Sequence, residues 1–112
     1  MRIALIGADG QLGTDLRACL RDSHDVQPWT YPDVDITRPQ ELRGKFLDLA
    51  PDLLINTAAY NRVDDAEREP GAAFALNALA VRELAILCQD TDSALMHFSS
   101  DYVFDGSVRT PY

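Results

Sequence analysis

Lysine is nearly missing from this chain. Of its ten basic residues only Lys45 is a lysine, against eighteen acidic residues, and the net charge is −8. A partner built on a phosphate backbone needs clustered Lys and Arg, so nucleic acid is not expected. The acidity otherwise bears on solubility and says little about function. Cysteine is scarce too. Cys19 and Cys88 fall on predicted helices among apolar neighbours, without metal-ligand spacing. They read as two reduced core thiols of a cytoplasmic protein, and no metal is expected. No apolar stretch of the sequence approaches the roughly 20 residues of a membrane span. The first residues run straight into a strand, with no signal-peptide layout, so no membrane partner is expected. Internal repeats and linkers are absent. With 112 residues, 46% of them hydrophobic and 25% charged, the chain holds one domain around a single core.

What is present is concentrated in the first thirteen residues. Ile3 to Ile6 is a short apolar run with the length of a buried parallel strand. Gly7, Gly10 and Gly13 follow in the spacing Gly-x-x-Gly-x-x-Gly, and Leu12, Leu16 and Cys19/Leu20 then recur at helical spacing. Strand, glycine turn and helix together fit a dinucleotide site. Gly7 would permit the tight turn, Gly10 the approach of a pyrophosphate, and Gly13 the close packing of helix on strand. Phosphates would rest on unpaired N–H groups at the helix start, where the dipole favours negative charge. The competing reading is a tight turn with no ligand.

Further along, Val26 to Thr30 reads as a second strand interrupted by Pro28. Its end carries Trp29, Thr30 and Tyr31, neither acidic nor basic, so the choice between NAD and NADP stays open. Thr37 resembles a helix N-cap, with Pro39 in the first turn and Gln40 three residues on. Leu42, Phe46 and Leu49 form one helical face. Asp52 to Asn56 is a third strand, ending in the small residues Thr57-Ala-Ala-Tyr60. These leave room for a flat ligand, or equally make a close-packed turn. Asn61 to Glu69 is polar, with a short helical turn. Pro70 opens a long helix that is apolar nearly all round and expected to be buried. On it Asn77 reads as a bridge between two backbone segments, as readily as a functional amide. Ala94 to Phe98 is the fourth strand, with His97 read as a packed side chain. The βαβαβαβ order predicts an α/β fold, a doubly wound parallel sheet of Rossmann-like type with strand order 3-2-1-4.

Three stretches point to one family: Gly7-Ala-Asp-Gly-Gln-Leu-Gly13, then Asn56-Thr-Ala-Ala-Tyr60 with Val63-Asp64, then Ser99-Ser-Asp-Tyr-Val-Phe-Asp-Gly106. Together they closely resemble the dTDP-4-dehydrorhamnose reductases, which are extended short-chain dehydrogenases/reductases. The resemblance runs from Met1 to Tyr112, and its last motif is the specific one. It implies hydride transfer from NADPH or NADH to C4 of dTDP-4-dehydro-L-rhamnose, giving dTDP-L-rhamnose for cell-surface polysaccharide. It also implies that Gly10, Gln11 and Leu12 form the pyrophosphate turn, and that Asp35 and Ile36 meet the adenine. Ala58, Ala59 and Tyr60 would line the path to the nicotinamide, beside the backbone at Phe98. Ser100 stands where the family usually has a catalytic threonine and keeps the hydroxyl, which could polarise the substrate carbonyl. Asp101 would help to hold the nucleotide-sugar substrate.

One departure is larger. The family's proton donor is a tyrosine followed four residues later by lysine, whose charge lowers the phenol pKa. Lys45 has Glu41 at that distance, and Tyr31, Tyr60 and Tyr102 are followed by Asp35, Asp64 and Gly106. Residues 1–112 are therefore expected to be the dinucleotide-binding domain of a reductase, incomplete at its C-terminus, lacking the later sheet and the substrate region. Alone they should be catalytically silent. A homodimer of the full-length protein stays open. So do two other readings: a sugar-nucleotide epimerase or dehydratase of the same superfamily, and a non-catalytic NAD(P)-binding module resembling the regulatory subunit of methionine adenosyltransferase.

Overall fold

Short apolar runs alternate with helical stretches along the chain, and the structure keeps that alternation. A computed structural model describes residues 1–111. Four strands, β1 (Arg2–Ile6), β2 (Asp25–Trp29), β3 (Leu53–Asn56) and β4 (Ala94–His97), make one parallel sheet. Between them lie α1 (Gln11–Leu20), α2 (Pro39–Leu49) and α3 (Val63–Arg68). A helical rod follows, made of α4 (Pro70–Phe74), a π-helical segment Ala75–Leu79 and α5 (Ala80–Asp90). A 3₁₀ turn, Asp101–Val103, follows β4.

The strand order is β2-β1-β3-β4, which corrects the expected 3-2-1-4. Pro28 supplies a reason. It lies in β2 opposite Leu5 and has no N–H to give to a second neighbour, so β2 belongs at an edge. The expected order would have put β2 inside the sheet. β3, buried along Leu54, Ile55 and Asn56, takes the interior place beside β1 instead.

The handedness of the crossovers then distributes the helices. The step from β1 to β2 runs one way across the sheet, and the steps to β3 and β4 run the other way. Right-handed connections therefore put α1 on one face and α2 with α5 on the opposite face. The core divides accordingly. Ile3, Leu5, Ala8 and Ile55 pack under Leu16 and Leu20 of α1. Ala4, Ile6 and Leu54 pack with Leu42 and Phe46 of α2 and with Ala80, Leu84, Leu87 and Cys88. Phe46, fully buried beside Trp29, contributes about 1.5–3 kcal/mol by burial.

Five local expectations are corrected. Thr37 is not the cap of α2; Arg38 occupies that position, and the Thr37 hydroxyl donates to Asp35 Oδ1 at 2.6 Å. Cys19 is exposed, because α1 turns only its Leu16 side to the sheet, while Cys88 is buried. His97 is exposed at the end of β4, where no element covers it, and is not packed. The Pro70–Asp90 rod is 21 residues long and an 18-residue stretch of it reaches a mean hydropathy of 1.6, so the chain does contain a helix with the length and composition of a membrane span. Most of it is not buried either. Only its Ala80, Leu84, Leu87 and Cys88 side is buried, and that side docks on the sheet as a core helix does.

Candidate functional site

The carboxyl ends of the strands lie in one row, Trp29, Ile6, Asn56 and His97 being register partners across the sheet. Connections leave β1 and β3 in opposite directions, so the crevice between their ends is the place where sheets of this kind take ligands. A cleft of about 480 Å³ opens there.

Its floor is the glycine turn after β1. Gly7 adopts φ +74°, and a Cβ on it would lie 2.7 Å from Thr57 Oγ1 and 2.9 Å from the Ala58 nitrogen. Gly13 is tighter still, since a Cβ there would fall 2.1 Å from the Gly7 carbonyl oxygen. Glycine at both positions brings the start of α1 down onto the end of β1. Gly10 differs. It is the N-cap of α1 in extended conformation, and a Cβ would meet only the Gly7 oxygen, at 3.3 Å. No side chain caps the helix, so the N–H groups of its first turn, from Gln11 to Gly13, face the cleft as open donors.

The opposite wall comes from β3. Asn56 is fully buried, its Oδ1 accepting from the Ala58 N–H at 3.1 Å and its Nδ2 lying 3.2 Å from His97 Nδ1. The Thr57 hydroxyl donates to the Ile6 carbonyl at 2.8 Å, with the Gly7 carbonyl 3.1 Å away. One threonine thus ties the ends of β1 and β3 together across the crevice. Asn77, in the π-helical segment, bridges as the sequence allowed. Its Oδ1 accepts from the Tyr60 N–H at 2.7 Å, and its Nδ2 donates to the Tyr60 carbonyl at 3.0 Å. The loop from Ala58 to Asn61 is therefore pinned to the helical rod.

On the third side Asp35 is half-buried. It accepts from the Thr37 N–H at 2.9 Å and from the Thr37 hydroxyl, and Arg38 lies 3.6 Å away. The Thr37 hydroxyl, more than Arg38, holds the carboxyl below its ordinary value of 3.8.

Nine of the expected cofactor residues line this one cleft: Gly7, Gly10, Gln11, Leu12, Gly13, Asp35, Ile36, Ala58 and Ala59. Tyr60, Phe98, Ser100 and Asp101 lie outside it. The Tyr60 ring carries Arg62 over its face at 5.3 Å, and its hydroxyl donates to Glu69 at 3.3 Å. Partial burial, with the Glu69 charge beside it, pushes that phenol above its ordinary 10.0. Ser100 is exposed and caps the 3₁₀ turn, accepting from the Tyr102 N–H at 3.2 Å and donating to Asp101 Oδ1 at 3.3 Å. The sequence reading did not assign Asp9, Tyr31, Thr57 or Asn61 to the site, although all four line the cleft. Each is next to, or one or two residues away from, a residue that was assigned or the strand end before it, so adjacency to those turns was the available signal.

The residues fit a dinucleotide. The glycine cradle would be filled by side chains, the donors at the start of α1 lack a cap, and the flanking Ala58 and Ala59 are small. Comparison with known proteins points the same way. A family profile described as RmlD substrate binding domain matches residues 1–112. The chain is 42% identical over 114 residues to the probable dTDP-4,6-dihydroxy-2-methyloxan-3-one 4-ketoreductase of Streptomyces antibioticus, covering 100% of this chain and 39% of that protein. It is 38% identical over 112 residues to the dTDP-4-dehydrorhamnose reductase of Burkholderia thailandensis, covering 100% and 38%. The crystal structure of the Bacillus anthracis dTDP-4-dehydrorhamnose reductase in complex with NADP superposes with a TM-score of 0.90 at 34% identity, covering 96% of this chain and 39% of that one. The chain thus spans about two fifths of the length of these relatives.

Proposed function

From the premise that this chain belongs to the RmlD substrate binding domain family, we propose that it forms the NAD(P)H-binding part of a reductase acting on a 4-keto sugar nucleotide, dTDP-4-dehydro-L-rhamnose. The observation that carries the reading is the cleft between β1 and β3. There an uncapped helix start, a glycine cradle and small wall residues meet at the point where strand connections reverse. The dinucleotide, when bound, supplies the hydride.

The chain's own residues do the rest. The first-turn N–H groups of α1 hold the pyrophosphate, with no side chain competing for them. Asp35 and Ile36 meet the adenine, and the short side chains of Ala58 and Ala59 leave the nicotinamide room beside β3. Thr57 and Asn77 position that wall through their bonds to the Ile6 carbonyl and to the Tyr60 backbone. Ser100 is the candidate catalytic hydroxyl, donating to the substrate carbonyl as charge develops on it. Its present partners, Asp101 and the Tyr102 N–H, are exposed and exchangeable. No Tyr-x-x-x-Lys pair lies in the sequence, so these residues bind and orient but supply no proton for the alkoxide. The same reading makes the protein a cytoplasmic enzyme whose partner is a nucleotide sugar, with neither nucleic acid nor membrane involved.

Titration of the purified chain with NADH and NADPH, followed by nicotinamide fluorescence, tests this. Saturable binding is expected, and Gly10→Val should abolish it while the circular dichroism spectrum stays unchanged, because the backbone at Gly10 suits any residue. Equal affinity in a folded Gly10→Val protein would remove the phosphate-cradle assignment.

A further inference from the structure

The rim of the cleft beside β2 is acidic. Asp9 and Asp35 line the cleft, and no lysine or arginine does so among the described residues. The turn that carries Asp9 is fastened to the end of β2, because the N–H groups of Gly7 and Ala8 both donate to the Trp29 carbonyl, at 3.0 and 3.2 Å. Asp9, exposed on that turn, lines the cleft together with Tyr31 and Asp35, which follow the β2 strand end. In sheets of this topology the adenosine ribose is read there. An acidic side chain accepts from the ribose 2′-hydroxyl, whereas arginine accommodates a 2′-phosphate.

Asp35, Arg38 and Lys45, on the chain that follows β2, each have partners. The Asp35 carboxylate is taken up by Thr37 and faces Arg38. Arg38 is divided between Asp35 and Glu41, at 3.6 and 3.3 Å. Lys45, the one lysine, donates to the Asp33 carbonyl. We propose that Asp9 is a selectivity residue that makes the site prefer NADH over NADPH, an inference that rests on the proposed reading of the cleft as a dinucleotide site. A 2′-phosphate would bring between one and two further negative charges to a rim that offers a carboxylate and no base. A 2′-hydroxyl in the same place can donate a hydrogen bond to that carboxylate.

The test is to measure dissociation constants for NADH and NADPH by fluorescence titration of the chain, at low and at raised ionic strength, in the parent, Asp9→Asn and Asp9→Lys. NADH should bind roughly tenfold more tightly than NADPH. Asp9→Asn should narrow that gap severalfold, mainly by improving NADPH, and Asp9→Lys should invert it. Added salt should narrow the gap in the parent, since it screens the repulsion. Equal or tighter binding of NADPH by the parent, or a gap unchanged in Asp9→Asn, would overturn the inference and leave the dinucleotide site standing. Failure of the parent to bind either nucleotide would overturn both.

Discussion

Gly10 and Gly13 belong to the same motif, yet a side chain has different consequences at each. At Gly13 a methyl group would overlap the Gly7 carbonyl oxygen, and the helix would have to lift from the strand. Gly13→Ala is therefore expected to cost about 3 kcal/mol or more, read from denaturant unfolding, whereas Gly10→Val should unfold near the parent. Asp35 gives a second test. Its carboxyl pKa is lowered in the folded state, chiefly by the Thr37 hydroxyl. The ionised form is thus favoured by folding. That stabilisation is complete above the unfolded carboxyl's ordinary value and is lost as pH falls through the lower folded value. Thr37→Val, at an exposed position, should move the acid-unfolding midpoint to higher pH; an unmoved midpoint would dismiss the hydroxyl's role. The thiols differ in the same local way. Burial pushes Cys88 up to about 11, while Cys19 is exposed. One equivalent of thiol should react with a disulfide reagent in native protein, and two after unfolding.

At the scale of the element, the helical rod from Pro70 to Asp90 is built to hold a loop as well as to cover a sheet. The π-helical segment Ala75–Leu79 interrupts the α-helical register where Asn77 meets the backbone of Tyr60. Such segments are common at functional sites. Asn77→Ala should release the loop without unfolding the rod. Amide exchange at Tyr60 should rise while that of Leu84 and Leu87 stays protected. Equal protection at Tyr60 in the variant would mean that the loop is held by other contacts. These elements were largely legible in the sequence, because each strand, glycine turn and proline-started helix is written in adjacent residues. Strand order was misread as 3-2-1-4, since it depends on which edges of a strand find partners. The one local sign of it, Pro28 in β2, had been taken only as an interruption. His97 and Cys19 were misplaced for a related reason. Periodicity tells which residues share a face, and the neighbouring elements decide whether that face is covered. The cleft was legible wherever a motif marked it. Thr57 and Asp9 were missed because a hydroxyl and a carboxylate beside a motif carry no spacing of their own.

At the scale of the molecule, one half of the sheet is well covered and the other is open. β1 and β3 lie between helices, whereas β4 forms an edge whose Met96 is 47% exposed, and Phe74 on the rod is 61% exposed. Exposed edges and apolar patches favour association. Sedimentation of residues 1–112 should therefore show self-association that rises with concentration, and a strictly monomeric protein at high concentration would contradict this. The candidate nucleotide cleft lies at the β1/β3 crevice, on the far side of β3 from that edge, so it should remain accessible in the isolated chain. Its direct test is an NADH titration of isotope-labelled protein followed through backbone amide shifts. Saturable changes are expected, largest at Gln11, Leu12 and Gly13 and next at Ala58 and Ala59. Shifts centred elsewhere, such as on Arg62 to Glu69, or no saturable shifts at all, would contradict the assignment of the cleft.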